Sequence, residues 1–155
     1  MADGLYDTDI LVWSERQAHL LRRLAAGERV NADVDWENVI DEVESVGRSE
    51  LNAVESLLLQ AIIHLLKLQA YPHHDSARHW RMETRAFLNA AKRRFAPSMR
   101  GRIPLRALYK EAVEMASVAH PEVDLWHPDE SGFSLDDLLD RAGPVADLLE
   151  ERRRG

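Results

Sequence analysis

No cysteine occurs among the 155 residues, which removes disulfide frameworks, thiol nucleophiles and cysteine-type zinc sites at once. That absence fits a reducing compartment. There is no Gly-rich phosphate loop, no Gly-x-Ser-x-Gly elbow and no His-Glu-x-x-His pair, so the common signatures of phosphate handling and hydrolysis are missing. Long apolar runs are also lacking. Leu57 to Leu68 is the longest, is interrupted by Gln60, His64 and Lys67, and falls short of the ~20 residues a bilayer span needs. The N-terminal Met-Ala-Asp-Gly-Leu-Tyr-Asp is acidic and lacks the basic-then-apolar layout of a secretory signal. A soluble, cytoplasmic protein without membrane contact is expected. No stretch alternates with period two for long enough to argue for a strand.

What remains is helix. Apolar residues at 45% and charged residues at 30% suit a single globular domain over residues 1–155. Asp7 can cap a first helix with Ile10, Trp13, Leu20, Leu21 and Leu24 on its apolar positions, ended by Gly27. A second helix begins near Asp35, carries Trp36, Val39, Ile40, Val43 and Val46 on one face, and is expected to stop at Gly47. Ser49 then caps a nearly all-apolar central helix over about 49–70, closed by Tyr71-Pro72.

A fourth helix spans roughly 76–95, with Ala77, Trp80, Thr84, Phe87, Leu88, Ala91 and Phe95 facing the core. A fifth starts at Pro104 and presents Leu105, Leu108, Tyr109, Ala112, Met115 and Ala119. Pro121 to Gly132 forms a loop, Ser134 to Asp137 resembles a capping box, and a tail helix is framed by Val145 to Arg153 within a C-terminal tail of about 144–155. The fold class is all-α: a bundle of about five to seven helices around a buried central helix.

The stretch Asp35-Trp-Glu-Asn-Val-Ile-Asp-Glu-Val-Glu-Ser-Val-Gly-Arg-Ser-Glu50, followed by His64-Leu-Leu-Lys67, resembles a bacterial family known as domain of unknown function 29. Tyr6-Asp7-Thr8-Asp9, Trp13, Gln17 and Trp80 fit the same pattern, and the resemblance covers about 5–140. It departs around Trp126-His-Pro128, where the Cys-Pro element of many members is absent. The resemblance implies an all-helical bacterial protein and supplies no activity.

Charge is segregated along the chain. From Arg78 to Lys110 there are ten Lys/Arg against one acid, Glu83, whereas Glu28 to Glu55 holds nine acids and two arginines. At 100° per residue Arg78, Arg81, Arg85 and Lys92 share one helix face, with Arg93 beside it, while Glu37, Asp41 and Glu44 line another. The basic face could grip phosphate backbones. A net charge of −7 opposes nonspecific nucleic-acid binding, and the favoured reading is that the two faces pair, within the bundle or across a dimer, or are simply solvated.

Ser49, Ala53, Ser56, Gln60, His64 and Lys67 form a narrow polar seam on the central helix. His64, with Glu42 or Glu44 near it, is a candidate acid–base or ligand residue, although a hydrogen-bonded structural histidine is the favoured account. The cluster His73-His74-Asp75 with His79 offers imidazole and carboxylate metal ligands. Its position in a turn after Tyr71-Pro72 instead favours a solvated segment in which Asp75 or Ser76 caps the next helix. Neither a metal nor a cofactor is expected. The leading functional expectation is a helical protein-interaction module, without enzymatic activity, whose partner is another protein or a second copy as a homodimer. A nucleic-acid module using the basic face and a hydrolase centred on His64 are the alternatives.

Overall fold

Every regular element among the described residues is helical. The computed structural model describes residues 4–121 and 134–139. Six α-helices lie within them: α1 (Leu5–Thr8), α2 (Ile10–Ala25), α3 (Trp36–Ala70), α4 (Ala77–Arg94), α5 (Leu105–Ala119) and α6 (Leu135–Leu139). The all-α bundle with a long central helix stands. The sequence reading treats residues 1–155 as one domain; by its contacts the chain contains two compact units, Met1–Ser49 and Glu50–Gly155. The loop expected over 121–132, apart from Pro121, and the tail helix at 145–153 lie outside the described residues.

The first unit is a small helical assembly. Asp9, not Asp7, caps α2, its Oδ1 accepting from the Val12 N–H at 3.1 Å. Gly27 ends α2 as expected, with φ of +90° that only glycine adopts without strain. Leu20, Val30 and Val34 form the apolar cluster, with Leu21, Leu24 and Val39 packed on it. Ile10, assigned to the buried face, is instead exposed.

The expected stop at Gly47 is not there. α3 runs unbroken from Trp36 to Ala70, and Ser49 is an exposed mid-helix residue that caps nothing. An interior glycine weakens a helix by only about 1 kcal/mol relative to alanine, while each further residue adds a backbone hydrogen bond. A glycine stop of the kind that ends α2 would put Gly47 in the left-handed conformation, and among the described residues only Gly4 and Gly27 have positive φ. The uninterrupted α3 is long and apolar enough to cross a bilayer by length and composition alone, yet half of its apolar window is buried inside the protein.

The second unit holds the main core. Val54, Leu58, Ala61, Ile62, Leu65, Leu66 and Leu68 of α3 join Trp80, Leu88 and Ala91 of α4, Leu108, Tyr109, Ala112 and Ala116 of α5, and Leu138 and Leu139 of α6. Burying each large side chain contributes about 1.5–3 kcal/mol, which explains why this part of α3 is apolar nearly all round. The core face of α4 is the expected one. On α5, Met115 and Ala119 are exposed and Ala116 is buried in their place, because the face follows the spacing 105, 108, 109, 112, 116. α6 opens with the expected reciprocal cap, the Ser134 N–H on Asp137 Oδ2 at 2.9 Å and the Asp137 N–H on Ser134 Oγ at 3.1 Å.

Candidate functional site

The start of α3 is set by a polar clasp inside the first unit. The Trp13 Nε1–H and the Asn38 amide both donate to Asp35 Oδ2, at 3.0 and 2.8 Å. The Asp35 N–H in turn donates to Oε1 of buried Gln17 at 2.9 Å. The Asn38 amide, aided by Trp13, holds the Asp35 carboxyl below its ordinary value against a smaller opposing effect of burial. Tyr6 stands edge-on to Trp13, with ring centroids 4.8 Å apart, and its hydroxyl donates to Glu42 Oε1 at 2.6 Å. That hydrogen bond pushes the phenol up to about 12.

The clasp fixes one side of this part of α3 and leaves another bare. Trp36, Ile40, Val43 and Val46 are 42%, 54%, 69% and 66% exposed. The spacing groups all four with Val39 on one apolar face, yet they stand in solvent, and the Trp36 indole N–H reaches the Asn31 carbonyl at 2.8 Å. The reason is supply: the first unit's apolar cluster comes from a few residues of α2 and the 30–34 segment, and of this row Val39 alone packs on it. Along the bare row stand Glu37, Asp41 and Glu44, all exposed, with Arg48 bridging Asp41 at 3.3 Å and Glu44 at 3.5 Å. Exposed pairs of this kind contribute about 0–1 kcal/mol each.

In the second unit His64 is 8% exposed and both ring nitrogens are engaged. Nδ1 lies 2.8 Å from the Gln60 carbonyl, an acceptor, so it carries a hydrogen. Nε2 lies 2.7 Å from Oε2 of Glu83, whose other oxygen is 3.2 Å from His79 Nε2. The partner of His64 is therefore Glu83 of α4, not Glu42 or Glu44. Glu42 is taken by Tyr6, and Glu44 by Arg48. Phe87 covers the imidazole at 5.5 Å between ring centroids. The seam grades from exposed Ser49 and Ser56, through half-buried Ala53 and Gln60, to buried His64 and half-buried Lys67, whose ammonium lies 5.7 Å from the Trp80 ring centroid.

The histidines of the turn do not converge. His73 and Asp75 are exposed, His74 stacks on Trp80 at 4.9 Å, and His79 is drawn to Glu83. Among the described residues no three His, Asp or Glu side chains are grouped to hold a metal ion. Neither Asp75 nor Ser76 provides a side-chain cap for α4; His74 Nδ1 accepts from the Ser76 N–H at 3.0 Å instead. Beyond the turn, Arg78, Arg81, Arg85, Lys92 and Arg93 are exposed, and none makes an ion pair among the described residues. Arg94, off that face, reaches Glu50 at 3.5 Å.

The chain matches the family model described as domain of unknown function DUF29 over residues 5–142. It belongs to that family. Among solved structures it is similar to an alpha-helical protein of unknown function from Rhodospirillum rubrum. That protein is 27% identical, with a TM-score of 0.66, and the match covers 94% of this chain and 96% of that one. No functionally curated protein matches it.

The residues by which the sequence resembles DUF29 have visible work in the structure. Tyr6, Trp13, Gln17, Asp35, Asn38 and Glu42 build the clasp, while His64 and Trp80 sit in the second unit's core region. Sequence reasoning missed two of the key acids. Asp35 was seen only as a helix start. Glu83 had been counted as the lone acid in a basic stretch, and that isolation was the signal that it served a particular partner.

Proposed function

We propose that this protein is a non-enzymatic helical interaction module that docks a protein partner on the bare face of residues 36–46. The carrying observation is the exposed row Trp36, Ile40, Val43 and Val46 beside Glu37, Asp41 and Glu44. Four large apolar side chains at helical spacing form a contiguous patch, and such patches mark interaction sites more often than scattered exposed residues do. A helix face with apolar anchors and charged borders is the usual substrate for helix-in-groove or helix–helix docking. The spent ring nitrogens of His64 favour a structural role for that residue over the hydrolase reading. A cytoplasmic setting, with no membrane contact and no cofactor, belongs to the same proposal.

The test is retention of proteins from the host's soluble extract by the immobilised chain and by an I40D/V43D variant, after nuclease and salt washes. Both positions are exposed, so the variant should keep its helical circular dichroism. A protein held by the wild type and lost by the variant, further copies of the chain included, supports the reading. Identical retention by both overturns it.

A second reading has its own observation. The cationic row on α4, without an ion pair among the described residues, suits a phosphate backbone, with affinity falling steeply as salt rises. Retention on heparin at low salt, lost in R81E/R85E, would favour it; passage without retention removes it.

A further inference from the structure

We infer that the occupant of the acidic, apolar face of α3 is a second copy of this chain, which presents the basic face of its α4. This rests on the interaction reading above and names the partner.

Two charged rows are exposed, one ion-paired only to Arg48 and the other without an ion pair among the described residues, and they are complementary. Glu37, Asp41 and Glu44 recur at i, i+4 and i+7, and Arg78, Arg81 and Arg85 at i, i+3 and i+7. Each row therefore spans seven residue steps, about 10.5 Å of helix, so with the helices antiparallel three carboxylates can face three guanidiniums in one register. Apolar surface accompanies both rows: Ile40 and Val43 beside the acids, exposed Met82 beside the arginines. Arg48 neutralises part of the acidic row, but at 3.3 and 3.5 Å on exposed side chains it is a loose competitor that a guanidinium row can displace.

Other occupants explain less. Pairing α3 with α3 of another copy would bring acidic rows together, a like-charge arrangement that opposes association. A nucleic acid would satisfy α4 alone and would be repelled by the acidic face and by the net charge of −7. Docking α3 on a partner's α4 covers both surfaces, and two copies exchanging the contact in both directions close a dimer.

The experiment is light scattering and sedimentation of the full chain with two charge-reversed variants, E37K/D41K/E44K and R78E/R81E/R85E. All six positions are exposed, and circular dichroism checks the fold. The wild type should run above its 17.7 kDa monomer mass towards twice that value at low salt. Its dimer dissociation constant should rise roughly tenfold or more between 50 and 500 mM salt, as screening of exposed charges requires. Each variant alone should be monomeric, since its altered row meets like charge. An equimolar mixture should recover the dimer, because each reversed row then faces the other variant's reversed row. If a triple variant does not fold, D41K and R81E carry the same mixing test.

A monomeric wild type at about 100 μM, a variant that self-associates as tightly as the wild type, or a mixture that stays monomeric would each overturn the inference. Loss of heparin retention in R78E/R81E/R85E from a wild type that remains monomeric would overturn it too, in favour of nucleic acid. Retention of a different protein through Ile40 and Val43 by a monomeric chain would sink the second-copy assignment and leave the interaction reading standing.

Discussion

The two halves of α3 carry apolar residues at helical spacing and end in opposite situations. Over 50–70, Val54, Leu58, Ile62, Leu65 and Leu66 are enclosed with side chains of α4, α5 and α6. Over 36–49, Trp36, Ile40, Val43 and Val46 stand in solvent, and only Val39 joins a small cluster with Leu20, Val30 and Val34. A periodic apolar face therefore states a need for cover without saying what supplies it. In the second unit the chain covers itself. In the first that face stays bare, which is the physical basis for proposing it as an interaction surface.

Substitutions along the helix test this contrast. The largest effect is expected at Leu65, 1% exposed: Leu65→Ala should cost about 2–5 kcal/mol by urea denaturation, whereas Val43→Ala, measured on the chain diluted to a monomer, should stay within about 0.5 kcal/mol. Comparable losses at both positions would mean that Val43 is covered within the monomer. Next is His64→Ala, which strips partners from the Gln60 carbonyl and Glu83. A loss of about 1–3 kcal/mol is expected, with Glu83→Gln milder because an amide can still bond the imidazole.

The two informative glycines should respond with opposite signs. Gly27→Ala forces a side chain into φ of +90° and should destabilise by roughly 1–2 kcal/mol. Gly47→Ala meets nothing within 4 Å and should stabilise the uninterrupted helix by about 0.5–1 kcal/mol. A destabilising Gly47→Ala would revive the break that the unbroken helix denies.

The smallest effect is the acid response of the clasp. Asp35 is held below 3.8 chiefly by the Asn38 amide, so its contribution is complete above pH 3.8 and is lost as pH falls through the lower folded value. The urea midpoint of the wild type should fall more steeply below pH 4 than that of Asp35→Asn. Parallel slopes would show that the clasp does not depend on the carboxylate's charge.

Much of the fold was legible because helix periodicity and punctuation are local. The end of α2 at Gly27, the core face of α4 and the Ser134–Asp137 cap are each dictated by neighbours a few residues away. Gly47 misled for the same reason: a local breaker signal was outweighed by propagation from both sides. The candidate site was less legible. His64 stands out in the sequence as the histidine of an apolar helix, but its partner comes from another helix, and Glu42 is taken by a tyrosine 36 residues upstream.

By itself the sequence determined an all-helical chain, a DUF29 signature, an acidic segment followed by a basic one, and one histidine in an apolar helix. These follow from residue types and their spacing, which act through backbone geometry and need no distant contact. Only the tertiary structure decided that α3 is continuous, that Glu83 and not Glu42 holds His64, and that one of two similar apolar faces is left bare. Those outcomes depend on which helices arrive to compete for each surface, and that competition is settled only when the elements pack.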